Sequence, residues 1–442
     1  MASASITAIE GQRSWTDRIE TFLAGVAVVM MTSPGLLLMG VSNDPAKPDD
    51  PMLRLYWVPP YLIIMALTAL RARRMTRYWA PLIPALAIVG WAYASKYWSI
   101  LPDVTSRRVV ALGMTTLLGF YLGSAFEYRR FVMLMAGSFL ALSVASLIVV
   151  FAVPIYGIDH QANGGDWRGV WSEKNTLALF MVLGVVSAVS AFMIDRRRPW
   201  LWGGMLGLCL LLLLMSKGKT ALLCVLLTLA LTGGLWIMRR GRILGVVTVW
   251  ATVTVGSVAG FVIWLAPELV LKAVGKDPTL TGRTQIWKAV LDQVALHPRL
   301  GFGFAAFWQL ESTPANIIRK QTRWPVPTAH NGWLDLLVQI GWIGVGLFIA
   351  VLLATIVATA IRTARTKEYF GILFLLIFVA FSFTESFLEQ HNSLFWVLFI
   401  ATMTHAMGPR DDRSPARKPA PRRPLAPAKP SLARGGAPSW YS

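Results

Sequence analysis

Apolar runs of about 20 residues leave a chain few ways to fold, because that length is what an α-helix needs to cross a membrane's hydrocarbon core. Runs near 21–41, 55–70, 79–96, 109–126, 131–156, 175–194, 200–216, 220–238, 243–266, 332–360, 370–388 and 392–407 meet that description, about twelve in all. In lipid every backbone polar group must be satisfied internally, so spans of this kind are helical. Apolar residues make up 55% of the chain and charged residues only 14%, and the mean hydropathy is +0.56. A soluble domain carries nearer a quarter charged residues. The expected fold is therefore an all-α, polytopic membrane protein.

The net charge of +20 could point to nucleic acid, but its distribution argues against that partner. Basic residues gather in short loops: Arg71, Arg73, Arg74 and Arg77; Arg129 and Arg130; Arg196 to Arg198; Arg239, Arg240 and Arg242; and Arg362, Arg365 and Lys367. They recur after every second span, which is the positive-inside pattern and puts both termini in the cytoplasm. No cleavable signal peptide is evident, since Glu10, Arg13, Asp17, Arg18 and Glu20 precede a run long enough to remain as a span. The organisation expected is a cytoplasmic N-terminus over 1–20, a transmembrane domain over 21–407 with a long outer loop at 267–331, and a tail over 408–442. That tail is rich in Pro, Arg, Lys and Ala, a composition that cannot bury a core and suits contact with anionic lipid headgroups.

With this orientation, four segments face the outside. They are "GIDHQANGGDWRGVWSEKNT" (157–176), "SKGKT" (216–220), the long loop, and "ESFLEQHN" (385–392). The GKT within the second resembles the end of a phosphate-binding P-loop. The full motif needs a glycine five residues before Gly218, where Leu213 stands, and the segment joins two spans instead of a strand and a helix. A nucleotide site is excluded. Lys217 and Lys219 would be costly inside the bilayer, so they belong at a hairpin tip, either snorkelling or aimed at an anionic headgroup.

Within the long loop, "GRTQIWKAVLDQVALHP" (282–298) sets Ile286, Val290, Leu291 and Val294 along one face, opposite Lys288 and Asp292. That pattern predicts an amphipathic helix lying at the interface and ended by Pro298, with Arg283 near its start. "GFGF" (301–304) follows as a flexible turn. The loop closes on "RWPVPTAHN", which brings His330 and Asn331 to the start of the next span, Asn331 as a cap for free backbone donors.

One outer face thus collects Arg168, Lys174, Lys217, Lys219, Arg283 and His330. A histidine can act as a base at neutral pH, and fixed cations can bind a diphosphate and stabilise it as a leaving group. The set suits transfer of a group from a diphosphate-bearing lipid to a hydroxyl. Glu385 and Glu389, four residues apart and so on one helical face if helical, are auxiliary candidates and rival bases. His160 could line the same cavity, His297 reads as structural, and His391 and His405 fall near span ends. No pair has metal-ligand spacing, so no metal is expected. Cys209 and Cys224 lie inside apolar runs, where packing is their expected role.

Four stretches, "WRGVWSEKNTLALF" (167–180), "MSKGKTALL" (215–223), "GRTQIWKAVLDQVALHPRLGFGF" (282–304) and "TAHNGWLDLLVQIGWIG" (328–344), resemble the bacterial O-antigen ligase and Wzy-type polysaccharide polymerase superfamily. Gly341 follows His330 at the spacing of that family's histidine motif, and "KNT", "SKGKT" and "TESFL…NSLFW" look most like its ExoQ-like branch. The resemblance implies a GT-C-type glycosyltransferase in the bacterial inner membrane, active on the periplasmic side without metal or other cofactor. It implies a glycan donor on undecaprenyl diphosphate and a glycan or lipid-linked acceptor, with membrane lipids and other polysaccharide-assembly proteins as partners. By matching motif, His330 is the base, with Arg168, Lys174, Lys217, Lys219 and Arg283 as diphosphate ligands and Asn331 auxiliary. Many ligases carry arginine where this chain has Lys219, which supplies charge without the bidentate fork. The reading favours polymerisation of repeat units. The alternatives are ligation to lipid A-core, transport of a lipid-linked glycan, and protein O-glycosylation.

Overall fold

The computed structural model describes residues 15–40, 51–160, 164–238, 241 and 283–409. The expected span at 243–266, the start of the long loop, most of the N-terminal segment and nearly all of the basic tail lie outside the described residues. Fourteen α-helices and one two-stranded hairpin are described, and the helices carry the fold. The first five are α1 (Trp15–Met30), α2 (Pro51–Met75), α3 (Trp79–Ala94), α4 (Pro102–Ala125) and α5 (Tyr128–Ala152). A single turn, α6 (Pro154–Gly157), leads into β1 (Ile158–Asp159) and β2 (Asp166–Trp167), paired antiparallel. Then come α7 (Lys174–Ile194), α8 (Pro199–Met215), α9 (Lys219–Met238), α10 (Arg283–Val294), α11 (Thr313–Thr322), α12 (Gly332–Thr366), α13 (Phe370–Ser382) and α14 (Leu394–Met407).

Five segments, Met52–Met75, Pro102–Ala125, Tyr128–Ala152, Lys174–Ile194 and Gly332–Thr366, are long and apolar enough to cross a membrane. Others expected to span, such as α8 and α14, are apolar but shorter. The chain is a multi-pass membrane protein. Exposed side chains such as Leu62, Leu86, Val110 and Leu353 form an apolar exterior suited to lipid.

Between helices in lipid, close packing replaces the hydrophobic drive, and small residues permit it. Gly119 and Gly123 do this where α4 lies along α14: a Cβ on either would come 2.5 Å from a backbone carbonyl, of Val397 or Ala401. Four helices also meet on one buried charge. Glu20 on α1 accepts both Nε (2.7 Å) and Nη2 (2.6 Å) of Arg71 on α2, the Tyr121 hydroxyl on α4 (2.8 Å) and Nη2 of Arg130 on α5 (3.0 Å). Arg71 and Arg130, read from sequence as orientation-setting loop charges, thus also hold the bundle together.

The expected amphipathic helix is α10, which ends at Val294 before Pro298 is reached. Its buried face is Ile286, Ala289, Val290, Gln293 and Val294, turned toward α11 and α12. Leu291 is not on it: at 49% exposure it lies one step round the helix, about 100° from Val290. The face is covered by protein, so α10 is packed into the fold instead of lying free on the interface.

"GFGF" is not a flexible turn. α12 breaks at Gly341, where φ is 67° and ψ −178°, a region essentially closed to side chains. The break releases backbone groups that need partners. Phe302 N–H donates to Val338 O and Gly303 N–H to Gln339 O, each at 2.9 Å, while Trp91 Nε1 reaches Ile340 O at 3.3 Å. Beyond the break, Trp342 N–H donates to Pro298 O (2.9 Å) and Ile343 N–H to Arg299 O (3.3 Å). The segment is held from its other side too, by Trp98 Nε1 on Leu300 O (2.9 Å) and by Phe304 N–H on Ser95 Oγ (3.0 Å). Gly301, with φ 69°, supplies the reversal that brings it against Gln339 and Gly341.

Candidate functional site

His330 occupies the residue before the cap of α12, and its backbone is left-handed, φ 50°. A non-glycine residue held there costs on the order of 1–3 kcal/mol, so the surroundings must fix it. They do so on both sides. Asn331 Oδ1 accepts the N–H groups of Trp333 (3.0 Å) and Leu334 (3.3 Å), capping the helix as its position suggests. Upstream, Ala329 N–H donates to Asp335 Oδ1 (3.0 Å) and Ala329 O accepts Trp287 Nε1 of α10 (2.9 Å). The imidazole stacks on Trp324, ring centres 5.8 Å apart and planes 3° from parallel.

That packing leaves Nε2 of His330 buried and without a hydrogen-bond partner among the described residues. Burial first, and the nearby Arg283 guanidinium second, push its pKa down to about 4. The ring is therefore neutral at pH 7, with a lone pair able to accept a proton. Arg283, the first residue of α10, donates from Nη1 to Thr384 O at 3.0 Å. This ties α10 to the turn after α13, which packs directly under Gly332.

A second group of cations forms around a carboxylate that no motif singles out. Asp166, 3% exposed at the start of β2, accepts Lys174 Nζ on Oδ2 and forms an ion pair through Oδ1 with Lys217 Nζ, each at 2.6 Å. Burial alone would raise its pKa, but the two ammonium groups outweigh that and hold it below the usual carboxylate range. The Lys217 pair joins segments some fifty residues apart, which no local pattern signals.

Arg168 lies between Asp166 and Lys174 in sequence but spends its guanidinium on the backbone, donating to Tyr156 O and Ile155 O at 2.9 Å each. Lys219 is exposed at the first turn of α9, just past the hairpin tip expected for "SKGKT". Of the basic residues, Lys174 and Lys217 thus meet on Asp166, Arg283 lies beside His330, and Arg168 is held by backbone carbonyls. Glu385 and Glu389 do not share a helical face, because the helix of α13 ends at Ser382 and a turn follows. Glu385 is half-buried, whereas Glu389 is 1% exposed, with neither carboxyl oxygen hydrogen-bonded among the described residues.

Of the other histidines, His160 is exposed and His297 packs edge-on against Phe302, centres 4.6 Å apart, consistent with a structural role. His391 accepts Arg108 Nη1 on Nε2 at 3.0 Å. Burial and that guanidinium push its pKa down to about 3.

A family model described as O-Antigen ligase matches residues 202–349, a stretch that includes Lys217, Lys219, Arg283, His330 and Gly341. The chain is also similar to the exopolysaccharide production protein ExoQ of Rhizobium meliloti (strain 1021). The two are 23% identical over 361 residues, which cover 77% of this chain and 81% of that protein. These matches bear out the resemblance to the O-antigen ligase and Wzy-type superfamily, and within it to the ExoQ-like branch.

Proposed function

We propose that the protein is a membrane glycosyltransferase of GT-C type, with about twelve spans and both termini in the cytoplasm of a bacterial inner-membrane setting. It transfers a glycan from undecaprenyl diphosphate to a sugar hydroxyl on the periplasmic side, polymerising repeat units. The observation that carries this reading is His330: a strained, capped, neutral imidazole with an unpartnered Nε2 beside Arg283.

In the proposed step, Nε2 takes the proton from the acceptor hydroxyl. The hydroxyl oxygen forms a bond to the anomeric carbon of the donor. The bond from that carbon to the diphosphate oxygen breaks, and the diphosphate leaves with the electron pair. Arg283 stabilises that charge, with Lys174, Lys217, Lys219 and Arg168 as further ligands. An imidazole with a pKa near 4 is a weak base. A docked diphosphate offsets the Arg283 field and raises that basicity only when the donor is in place.

Similarity to ExoQ favours polymerisation, whereas the O-antigen ligase match favours the second reading, attachment of finished polymer to lipid A-core. Profiling lipid-linked glycans in a deletion strain separates them. Single repeat units should accumulate, and wild-type protein but not His330→Ala, expressed at equal level, should clear them. Long polymer stranded on the carrier would replace the polymerase reading with the ligase one. Clearance by His330→Ala would remove the histidine from the chemistry.

A further inference from the structure

Beside the turn that carries His330, Thr328 and Pro327 form one wall of a cavity of about 140 Å³. Its other walls bring together Trp308, Gln309, Asp335, Gln339, Glu389 and His391. The glycosyl-transfer step described above engages none of these side chains. Two of them carry unsatisfied polar atoms although almost wholly buried. Glu389 is 1% exposed and Asp335 5%; both oxygens of Glu389 and Oδ2 of Asp335 have no hydrogen-bond partner among the described residues. Buried polar atoms without partners are costly, and their persistence at the wall of a cavity calls for a ligand that supplies the missing bonds.

The chemistry of the walls limits that ligand. Two carboxyl groups disfavour a phosphate. A metal ion is disfavoured as well: the one imidazole on the wall already accepts from the Arg108 guanidinium, and no three metal-ligating side chains converge among the described residues. What remains is an uncharged group rich in hydroxyls. Burial pushes the Glu389 carboxyl well above its usual range, toward the protonated form that can both donate to and accept from such hydroxyls. Gln309 also borders a second cavity of about 270 Å³, lined by Asp103, Arg107, Arg108 and Glu311. A chain of sugars entering the first cavity has a polar path in which to continue.

We propose that this cavity is the acceptor subsite, taking the terminal sugar ring of the acceptor glycan by hydroxyl hydrogen bonds to Glu389 and Asp335, with the following sugars running past Gln309 into the second cavity. The assignment rests on the glycosyl-transfer reading for the identity of the acceptor. It places the acceptor on the Thr328 side of His330 and the diphosphate on the Arg283 side.

The test reads binding without turnover. Full-length protein in lipid nanodiscs is titrated calorimetrically with oligosaccharide released by mild hydrolysis from the producing strain's own polysaccharide, freed of lipid and phosphate. Wild type and His330→Ala should bind it saturably. Glu389→Met, which keeps the length of the side chain but removes both hydrogen-bonding oxygens, and Gln309→Ala should each weaken binding about tenfold, the effect of losing one good hydrogen bond to a ligand. Absence of saturable binding to wild type, or unchanged affinity in both variants, would overturn the subsite. Failure of the transfer reading shows separately, as product formed by His330→Ala, and leaves the binding result to speak for the subsite alone.

Discussion

His330 acquires its character from three dimensions more than from its type. Burial, to which Trp324 stacked on the ring contributes, and the nearby Arg283 guanidinium keep the ring neutral far below its ordinary pKa of 6.5, down to about 4. Two consequences follow at this scale. The acid limb of kcat/KM, which reports the free enzyme, should fall near pH 4 instead of pH 6.5; a limb at 6.5 would mean a solvated base elsewhere. The stability effect has a fixed sign. A histidine kept neutral by the fold binds fewer protons folded than unfolded, so its contribution declines as pH falls from about 6.5 toward 4. The unfolding temperature of wild type should therefore drop relative to His330→Gln between pH 7 and pH 5. Sequence position and motif marked His330, Asn331 and Arg283. They could not show that Asp166 already binds Lys174 and Lys217, since that pairing depends on how the β1–β2 hairpin meets the α8–α9 tip.

Among the elements, the broken helix α12 does most to place the site. Its first segment, from Gly332 to Gly341, carries Asp335 against the His330 turn, and the 298–304 segment supplies hydrogen bonds to both sides of the break. At Gly341 a Cβ would run into the backbone of Arg299 and the backbone torsion suits only glycine. Gly341→Ala should thus cost roughly 2–4 kcal/mol, read as a lowered unfolding temperature with loss of activity. Gly346→Ala is the control: that position has open space around it, so the change should be near neutral. The sequence showed the helix but hid the break, because Gly341 sits in an uninterrupted apolar run. It also made "GFGF" look mobile, since glycines serve a tight docked segment as readily as a loose one. Apolar periodicity found α10 but misassigned Leu291, whose neighbour Val290 holds the buried position.

Across the whole molecule, α5 separates the Glu20 junction, which Arg130 joins near its start, from the β1–β2 hairpin that follows its end. The apolar runs and basic loops were enough to foresee a helical membrane protein, whereas the Glu20 junction of α1, α2, α4 and α5 joins residues up to 110 positions apart and had no local signature. The orientation is open to direct test, because Cys209 and Cys224 are buried and leave little labelling background. A cysteine replacing exposed His160 should react with a membrane-impermeant maleimide in intact spheroplasts, and one replacing exposed Arg197 only after the membrane is opened. The reverse pattern would invert the topology.

The most direct test of the central claim reconstitutes the purified protein in nanodiscs with lipid-linked repeat units and follows product length over time. Wild type should lengthen the lipid-linked glycan and release undecaprenyl diphosphate, one per bond formed. His330→Asn, a residue that tolerates the left-handed backbone at that position, should fold and bind but form no product. Elongation at the wild-type rate by His330→Asn would contradict the account.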